Sequence, residues 1–327
     1  MARGLNDYKK LADKAIKELD LHGETPRGLF EPIAYMLDGG GKRLRPVLLL
    51  ACCDAVGGKA EDRLPQAAGI EMFHNFTLLH DDVMDRSLLR HGKPTVHSKW
   101  DVATAILSGD AMLTMATQLM GRHLSDGVAS EALNVFNETA MLVYKGQQLD
   151  MDFESRTDVT PDEYLEMISM KTGALLAGAC LLGAIAGGVK NAETGRVLYK
   201  YGMKLGIAFQ IQDDILDTYG DEKVFGKPIG GDILNDKKTW LQVNALQSRS
   251  GKELKDIISG KTLQGDAKIA AVKAIYDREG LKEKSTEMLE SIVAGAIASL
   301  DSVKQDIKEE SYVLLRSVAE KLTGRVK

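Results

Sequence analysis

Cysteine is scarce in this chain: there are three, Cys52, Cys53 and Cys180, an odd set with two adjacent members. That pattern excludes a disulfide framework and matches no zinc-ligand spacing, so three reduced thiols in a cytoplasm are expected. An excess of positive charge is lacking as well. With 42 Lys and Arg against 47 Asp and Glu, net −5, nucleic acid is not expected as a partner, because phosphate backbones are bound mainly through clustered Lys and Arg. A basic pocket can still lie within an acidic total. The opening stretch, MARGLNDYKK, has no apolar core of the signal-peptide kind. No long Pro- or Ser-rich linker divides the chain. Long apolar runs are also few, and the most apolar one is GALLAGACLLGAIAGGV at 173–189, between Lys171 and Lys190. It is a little short for a bilayer and rich in Gly and Ala. A buried helix, closely packed by its neighbours, is expected rather than an integral membrane segment.

What is present is the composition of a folded core: 327 residues, 44% hydrophobic and 27% charged, which excludes disordered and fibrous classes. Apolar residues recur at three- and four-residue spacing, as in YLEMISMKTGALL (164–176) and LLRSVAEKL (314–322), while strand-like alternation is nearly absent. The spacing predicts an all-α chain. Thr160-Pro161-Asp162-Glu163 offers an N-cap, a proline at the first helical position and a capping-box glutamate. Breaks are expected at Gly57-Gly58, near Asp126-Gly127, at Gly187-Gly188 and across GKPIGGD (226–232). Together these predict one domain over 1–327 with about ten or more helices.

Two segments echo each other: HDDVMD (80–85) and QDDILD (212–217) each end an apolar helical stretch, and each is soon followed by Gly-Lys-Pro. They read as two facing walls of one site. On a helix Asp81 and Asp85 share a face, Asp82 is turned partly aside, and Asp213 and Asp217 repeat the geometry. Like charges at this spacing repel by a few tenths of a kcal/mol on an isolated helix. A divalent cation would supply the missing counter-charge. Carboxylate-only ligands suit Mg²⁺, which commonly takes one or two carboxylates, waters and substrate phosphates. An EF-hand is excluded because neither segment carries alternating loop ligands and a terminal glutamate. Near the N-terminus, DGGGKRLRP (38–46) sets three glycines before Lys42, Arg43 and Arg45, a combination suited to phosphate oxygens. Its spacing is not that of a nucleotide-binding P-loop.

Taken in order, GGGKRLRP, HNFTLLHDDVMD, LRHGKPTVH, LSGDAML, KTG at 171–173, FQIQDDILD and GKPIGGDILNDKKT resemble the trans-isoprenyl diphosphate synthases, the polyprenyl synthetase family. The resemblance runs from about residue 28 to residue 240; beyond it the chain is similar only in being helical and in its basic ending, Arg325 and Lys327. It implies an all-helical bundle around a central cavity, a homodimer, and Mg²⁺-dependent condensation of an allylic diphosphate (dimethylallyl, geranyl or farnesyl) with isopentenyl diphosphate. It further implies that Asp81 and Asp85, with Asp82 supporting, and Asp213 with Asp217 chelate Mg²⁺; Asp214 joins this set as a candidate ligand. Arg90, Lys171 and Lys227 would hold the allylic diphosphate, and Lys42, Arg45 and His74 isopentenyl diphosphate. Lys237 matches a further family lysine. Thr172 and Gln210 stand where the family places weak dipoles beside the allylic cation.

The chain departs from the family at His91, where a second arginine is usual after Arg90. Histidine is mostly neutral at pH 7 and cannot form the two-pronged guanidinium contact, so His91 is kept as a site residue, with either a weaker grip on the second substrate or protonation by its diphosphate expected. Product length is expected to be set one to two turns before Asp81, with Phe73 and Phe76 bulky and Thr77 small. The first acidic segment also lacks the two-residue insertion of many bacterial farnesyl diphosphate synthases. A product of fifteen to twenty carbons is therefore expected. Two other readings remain: a class I terpene cyclase, and a noncatalytic partner subunit of a two-component prenyltransferase. Neither accounts for two intact acidic segments together with the basic set.

Overall fold

The computed structural model of the protein describes residues 3–220, 229–260 and 263–323. Among these residues helices dominate, and the only strands are the paired Leu89–Arg90 and Lys93–Pro94. The all-α expectation therefore holds. Contacts divide the chain into two compact units.

The first unit comprises Met1–Glu138, Gly178–Leu198 and Val303–Leu315. It contains α1 (Leu5–Lys17), α2 (Arg27–Leu37), α3 (Leu44–Ala55), α4 (Leu64–Met84), the short α5 (Val96–Lys99) and α6 (Val102–Gly121). Every residue of α3 from Pro46 to Ala55 is buried. A helix that is apolar all round has to be a core element. The helix α4 packs along α6, and glycines permit the approach: a Cβ on Gly69 would come within 2.5 Å of Met120 Cε, and one on Gly109 within 2.2 Å of His80 Nε2.

Later helices are α7 (Asp126–Glu154), α8 (Pro161–Ile168), α9 (Ala174–Ala186) and α10 (Ala192–Tyr219). The Gly- and Ala-rich run forms α9, of which all but Leu181 is buried. Pro161–Ala186 is long and apolar enough to cross a membrane, yet 72% of its most apolar window is buried. In the first unit a Cβ at Gly183 would sit 2.0 Å from Leu49 O, so α9 and α3 touch backbone to backbone. The expected capping box opens α8: Glu163 N–H donates to Thr160 Oγ1, and Thr160 N–H donates to Glu163 Oε2. Gly57 (φ +100°) and Gly188 (φ +80°) end helices in the left-handed region. The break expected near Asp126-Gly127 falls at 122–125, just before that pair. Asp126 lies in the first turn of α7, where free N–H groups favour a carboxylate.

The second unit comprises Thr139–Ala177, Tyr199–Ser302 and Arg316–Lys327. Beside parts of α7 to α10 it holds helices at Trp240–Leu246, Gly251–Gly260, Gly265–Arg278 and Leu281–Asp301, around Leu241, Leu254, Ile275, Tyr276 and Leu281. The basic ending, Arg325 and Lys327, lies outside the described residues.

Between α8 and α9 the helix widens into a single π turn, Ser169–Gly173, carrying Lys171 and Thr172. The helical spacing of YLEMISMKTGALL does not foretell it. Glycines flank it: a Cβ on Gly146 would meet Lys171 N at 2.2 Å, and one on Gly206 would meet Gly173 Cα at 2.4 Å. Such turns are rare and concentrate at functional sites.

Candidate active site

In the first unit, Asp81 and Asp82 occupy the last turn of α4 and Asp85 is its C-cap. The carbonyl end of a helix already carries partial negative charge, and an acid there costs about 0.3–1 kcal/mol. Arg90 offsets part of it. Its Nε donates to Asp82 Oδ1 at 2.9 Å, and its terminal nitrogen lies 3.5 Å from Asp81 Oδ2. Asp82 is 2% exposed, and burial raises its pKa. Its Oδ2 is buried and accepts no hydrogen bond among the described residues.

Arg90 and His91 sit on the two-stranded hairpin, with Leu89 opposite Pro94 and Arg90 opposite Lys93. The two-residue loop is His91 (φ +51°) and Gly92 (φ +75°), a turn that needs positive φ at both positions. Histidine tolerates that conformation better than β-branched residues do. The side chain of His91 is exposed.

The basic segment before α3 separates into different roles. Arg43 belongs to the basic stretch but not to the residues expected to hold isopentenyl diphosphate. It is buried, pairing with Glu71 at 2.8 Å and Asp13 at 3.1 Å and donating to Leu37 O. A buried guanidinium is matched by a buried acid because an unpaired one would cost several kcal/mol. Arg45 behaves otherwise: it donates to His74 Nε2 at 3.1 Å, and its Nε is buried with no partner among the described residues. Burial lowers its pKa to about 10. Burial, then the charges of Arg45, Arg90 and Arg43, hold His74 well below the usual imidazole range. A neutral His74 accepts from Arg45 without neutralising it, and Glu71 is the acid whose charge reaches that guanidinium. Lys42 lies exposed just ahead of α3. Phe73 is fully buried with its ring 5.2 Å from Phe136 and 5.5 Å from Phe76, while Thr77 Oγ1 donates to His74 O.

In the second unit, Asp213, Asp214 and Asp217 lie in the last two turns of α10, again at a carbonyl end. Asp217 accepts from Asp232 N–H at 3.0 Å. Burial, followed by the carboxylates of Asp232 and Asp213, raises its pKa to about 6. Asp214 is used differently. It is 2% exposed and takes hydrogen bonds from the Tyr164 hydroxyl, the Trp240 N–H and Gln210 Nε2. Burial raises it to about 7, against three donors that favour its charged form. Thr172 Oγ1 donates to Gln210 Oε1 at 3.2 Å, and Lys171 Nζ lies 2.5 Å from Asp150 Oδ2. These residues line one cavity with Lys237 and Lys238. Lys238 is buried against the carbonyls of Asp236 and Glu154, whereas Lys237 is half-exposed, 3.9 Å from Asp232. Lys227 lies outside the described residues.

Three participants escape sequence reading. Asp150, Tyr164 and Asp232 join the second acidic segment only through folding. Asp150 leaves one local trace: it follows Gly146 by one turn, so the glycine that admits the π turn and the acid facing Lys171 share a helix face. Among the described residues no three acidic, His or Cys side chains converge closely enough to bind a metal unaided. Mg²⁺ nonetheless fits this donor set. Each acidic group crowds a helix end of its own sign, and Mg²⁺ completes its shell with water and substrate phosphates.

Comparison with known proteins gives the same picture. Residues 26–277, which include both acidic segments, match the polyprenyl synthetase family. The chain is 37% identical over 311 residues, 95% of each chain, to a short chain isoprenyl diphosphate synthase of Methanothermobacter thermautotrophicus. It is 40% identical over 259 residues to a geranylfarnesyl diphosphate synthase of Aeropyrum pernix, covering 77% of this chain and 81% of the other. A crystal structure of a geranylgeranyl pyrophosphate synthase superposes with a TM-score of 0.93 at 40% identity, covering 99% of both chains. Likeness that runs nearly end to end in sequence and in fold has one explanation: this chain belongs to the polyprenyl synthetase family.

Proposed function

We infer that the protein is a trans-prenyltransferase that condenses an allylic diphosphate with isopentenyl diphosphate and releases pyrophosphate, giving a short-chain prenyl diphosphate. The observation that carries this reading is the placement of two acidic groups at the carbonyl ends of α4 and α10. Folding gains nothing from acids at such ends, whereas Mg²⁺-assisted departure of a diphosphate needs them. Asp81, Asp85, Asp213 and Asp217 are the ligands in this reading; Asp82 holds Arg90. When bound, Mg²⁺ supplies Lewis-acid stabilisation of the leaving group.

The other residues act as fixed charges and dipoles. In this reading Arg90 and Lys171 act on the negative charge that grows on pyrophosphate as the allylic C–O bond breaks, and so favour the transition state over the ground state. Arg45, which forms no ion pair among the described residues, takes isopentenyl diphosphate with Lys42, and neutral His74 holds its guanidinium in place. Thr172 and Gln210 offer oxygen dipoles to the allylic cation, and exclusion of water prevents its capture as an alcohol. Incubation with both diphosphates and Mg²⁺ tests the reading. Pyrophosphate release that requires both substrates is expected. Release from the allylic substrate alone would indicate a cyclase or hydrolase, and no release a noncatalytic subunit.

Phe76 is read as the floor for the growing chain. It is 5% exposed, its ring tilted against Phe73 and edge-on to His80. Phe76→Ala is expected to lengthen the main product by at least one five-carbon unit. An unchanged product distribution on reversed-phase separation would remove the assignment. A homodimer is supported by three exposed apolar residues of α6, Val102, Ile106 and Leu107, which are 49%, 44% and 61% exposed, since large apolar side chains left in water favour burial at an interface. Leu107→Lys is expected to halve the mass measured by sedimentation. A wild-type protein that is already monomeric, or a variant that stays dimeric, refutes that interface.

A further inference from the structure

One carboxylate of the second acidic segment is occupied in a way that bears on specificity of charge rather than on metal binding. Asp214 Oδ2 receives the Tyr164 hydroxyl at 2.5 Å and the Trp240 N–H at 2.9 Å, and Oδ1 receives Gln210 Nε2 at 3.1 Å. The Trp240 backbone N–H can only donate, so Asp214 Oδ2 accepts there, and Asp214 Oδ1 is the acceptor that faces Gln210. The Gln210 amide must therefore turn its NH₂ edge to Asp214, which leaves its oxygen to accept from Thr172 Oγ1 at 3.2 Å. A primary amide has almost the same shape either way round, so its orientation is decided by its partners. For a neighbouring carbocation the two orientations are opposite in effect: the oxygen edge stabilises positive charge and the NH₂ edge opposes it.

Tyr164 anchors this arrangement from α8. It is 1% exposed, and its hydroxyl donates to Asp214 Oδ2. We propose that Tyr164 is a positioning residue of the condensation: through Asp214 it sets which edge of the Gln210 amide meets Thr172, and so the polarity that this pair presents to the allylic cation. The proposal rests on the reading above that Thr172 and Gln210 flank that cation. It gives Asp214 the task of holding Gln210, while Asp213 and Asp217 remain the ligands of that segment.

Tyr164→Phe keeps the ring and removes the donor. In the full chain with dimethylallyl or farnesyl diphosphate, isopentenyl diphosphate and saturating Mg²⁺, kcat is expected to fall about tenfold, the scale of one lost hydrogen bond to a charged group. KM for either diphosphate is expected to stay within about twofold, while the share of allylic substrate recovered as alcohol rises. Unchanged kcat and alcohol share, or a change confined to KM, overturn the proposal. Gln210→Ala separates it from the reading beneath: if Gln210→Ala is impaired and Tyr164→Phe is not, only the positioning role fails. If Gln210→Ala is unimpaired, the cation reading fails and the proposal with it. The double variant is expected to be no slower than Gln210→Ala alone, and an additive loss would show Tyr164 acting elsewhere. Should Tyr164→Phe not fold, Asp214→Asn answers the same question: a fall in kcat at unchanged half-saturating Mg²⁺ supports positioning, and a several-fold shift in that concentration makes Asp214 a ligand and overturns it.

Discussion

Asp213→Asn is expected to lower kcat/KM for condensation by about a thousandfold while leaving the fold as stable as before, or slightly more stable in the absence of Mg²⁺. The two effects have separate causes. Asp213 lies one turn from Asp217 at the carbonyl end of α10, so its charge opposes both a like neighbour and the helix end. Removing it relieves about a few tenths of a kcal/mol from each source. Activity goes the other way because a metal-held leaving group is worth several kcal/mol in the transition state, and about 4 kcal/mol corresponds to a thousandfold in rate. Steady-state pyrophosphate release at saturating Mg²⁺, beside thermal unfolding in metal-free buffer, reads both. Activity within about tenfold of the parent would show that Asp213 is not a ligand. A marked loss of stability would show that its charge is compensated within the protein, contrary to the argument from the helix end.

Such a stability–activity opposition also explains why the acidic segments were legible in the sequence. A residue that works against its own helix leaves a pattern that folding cannot account for, and DDxxD twice at the end of apolar helical stretches is that pattern. The same holds for the capping box at Thr160–Glu163, whose hydrogen bonds are local and therefore written in adjacent residues. The basic segment was only half legible. Lys42, Arg43 and Arg45 are alike in composition, and what separates Arg43 from Arg45 is Glu71, which lies 28 residues away and becomes its partner only in the fold. Lys237 and the adjacent Lys238 are likewise alike in composition, and only burial against the carbonyls of Asp236 and Glu154 marks Lys238 as structural. The π turn left no periodic trace, because five residues are too few to shift an apolar repeat. Its signals are Gly146 and Gly206, one on each flanking helix, and neither is interpretable until the helices are seen to touch.

Lys171 on that turn carries the second large effect. Lys171→Met keeps the aliphatic stem and removes the ammonium, and kcat/KM is expected to fall about a hundred- to a thousandfold, the range for losing one donor aimed at developing negative charge. Unlike Asp213→Asn, this change should also cost stability. Lys171 Nζ lies 2.5 Å from Asp150 Oδ2, and their side chains are only 26% and 19% exposed, so the variant leaves a carboxylate partly buried without its cation, at about 1–3 kcal/mol. Adding Asp150→Asn removes that orphaned charge. The double variant is therefore expected to regain most of the lost stability in denaturant titrations while activity stays low. The double-mutant cycle thus divides the two duties of Lys171, pairing with Asp150 and facing the diphosphate. If activity returned together with stability, the lysine would matter only as the partner of Asp150, and its role at the leaving group would have to be abandoned.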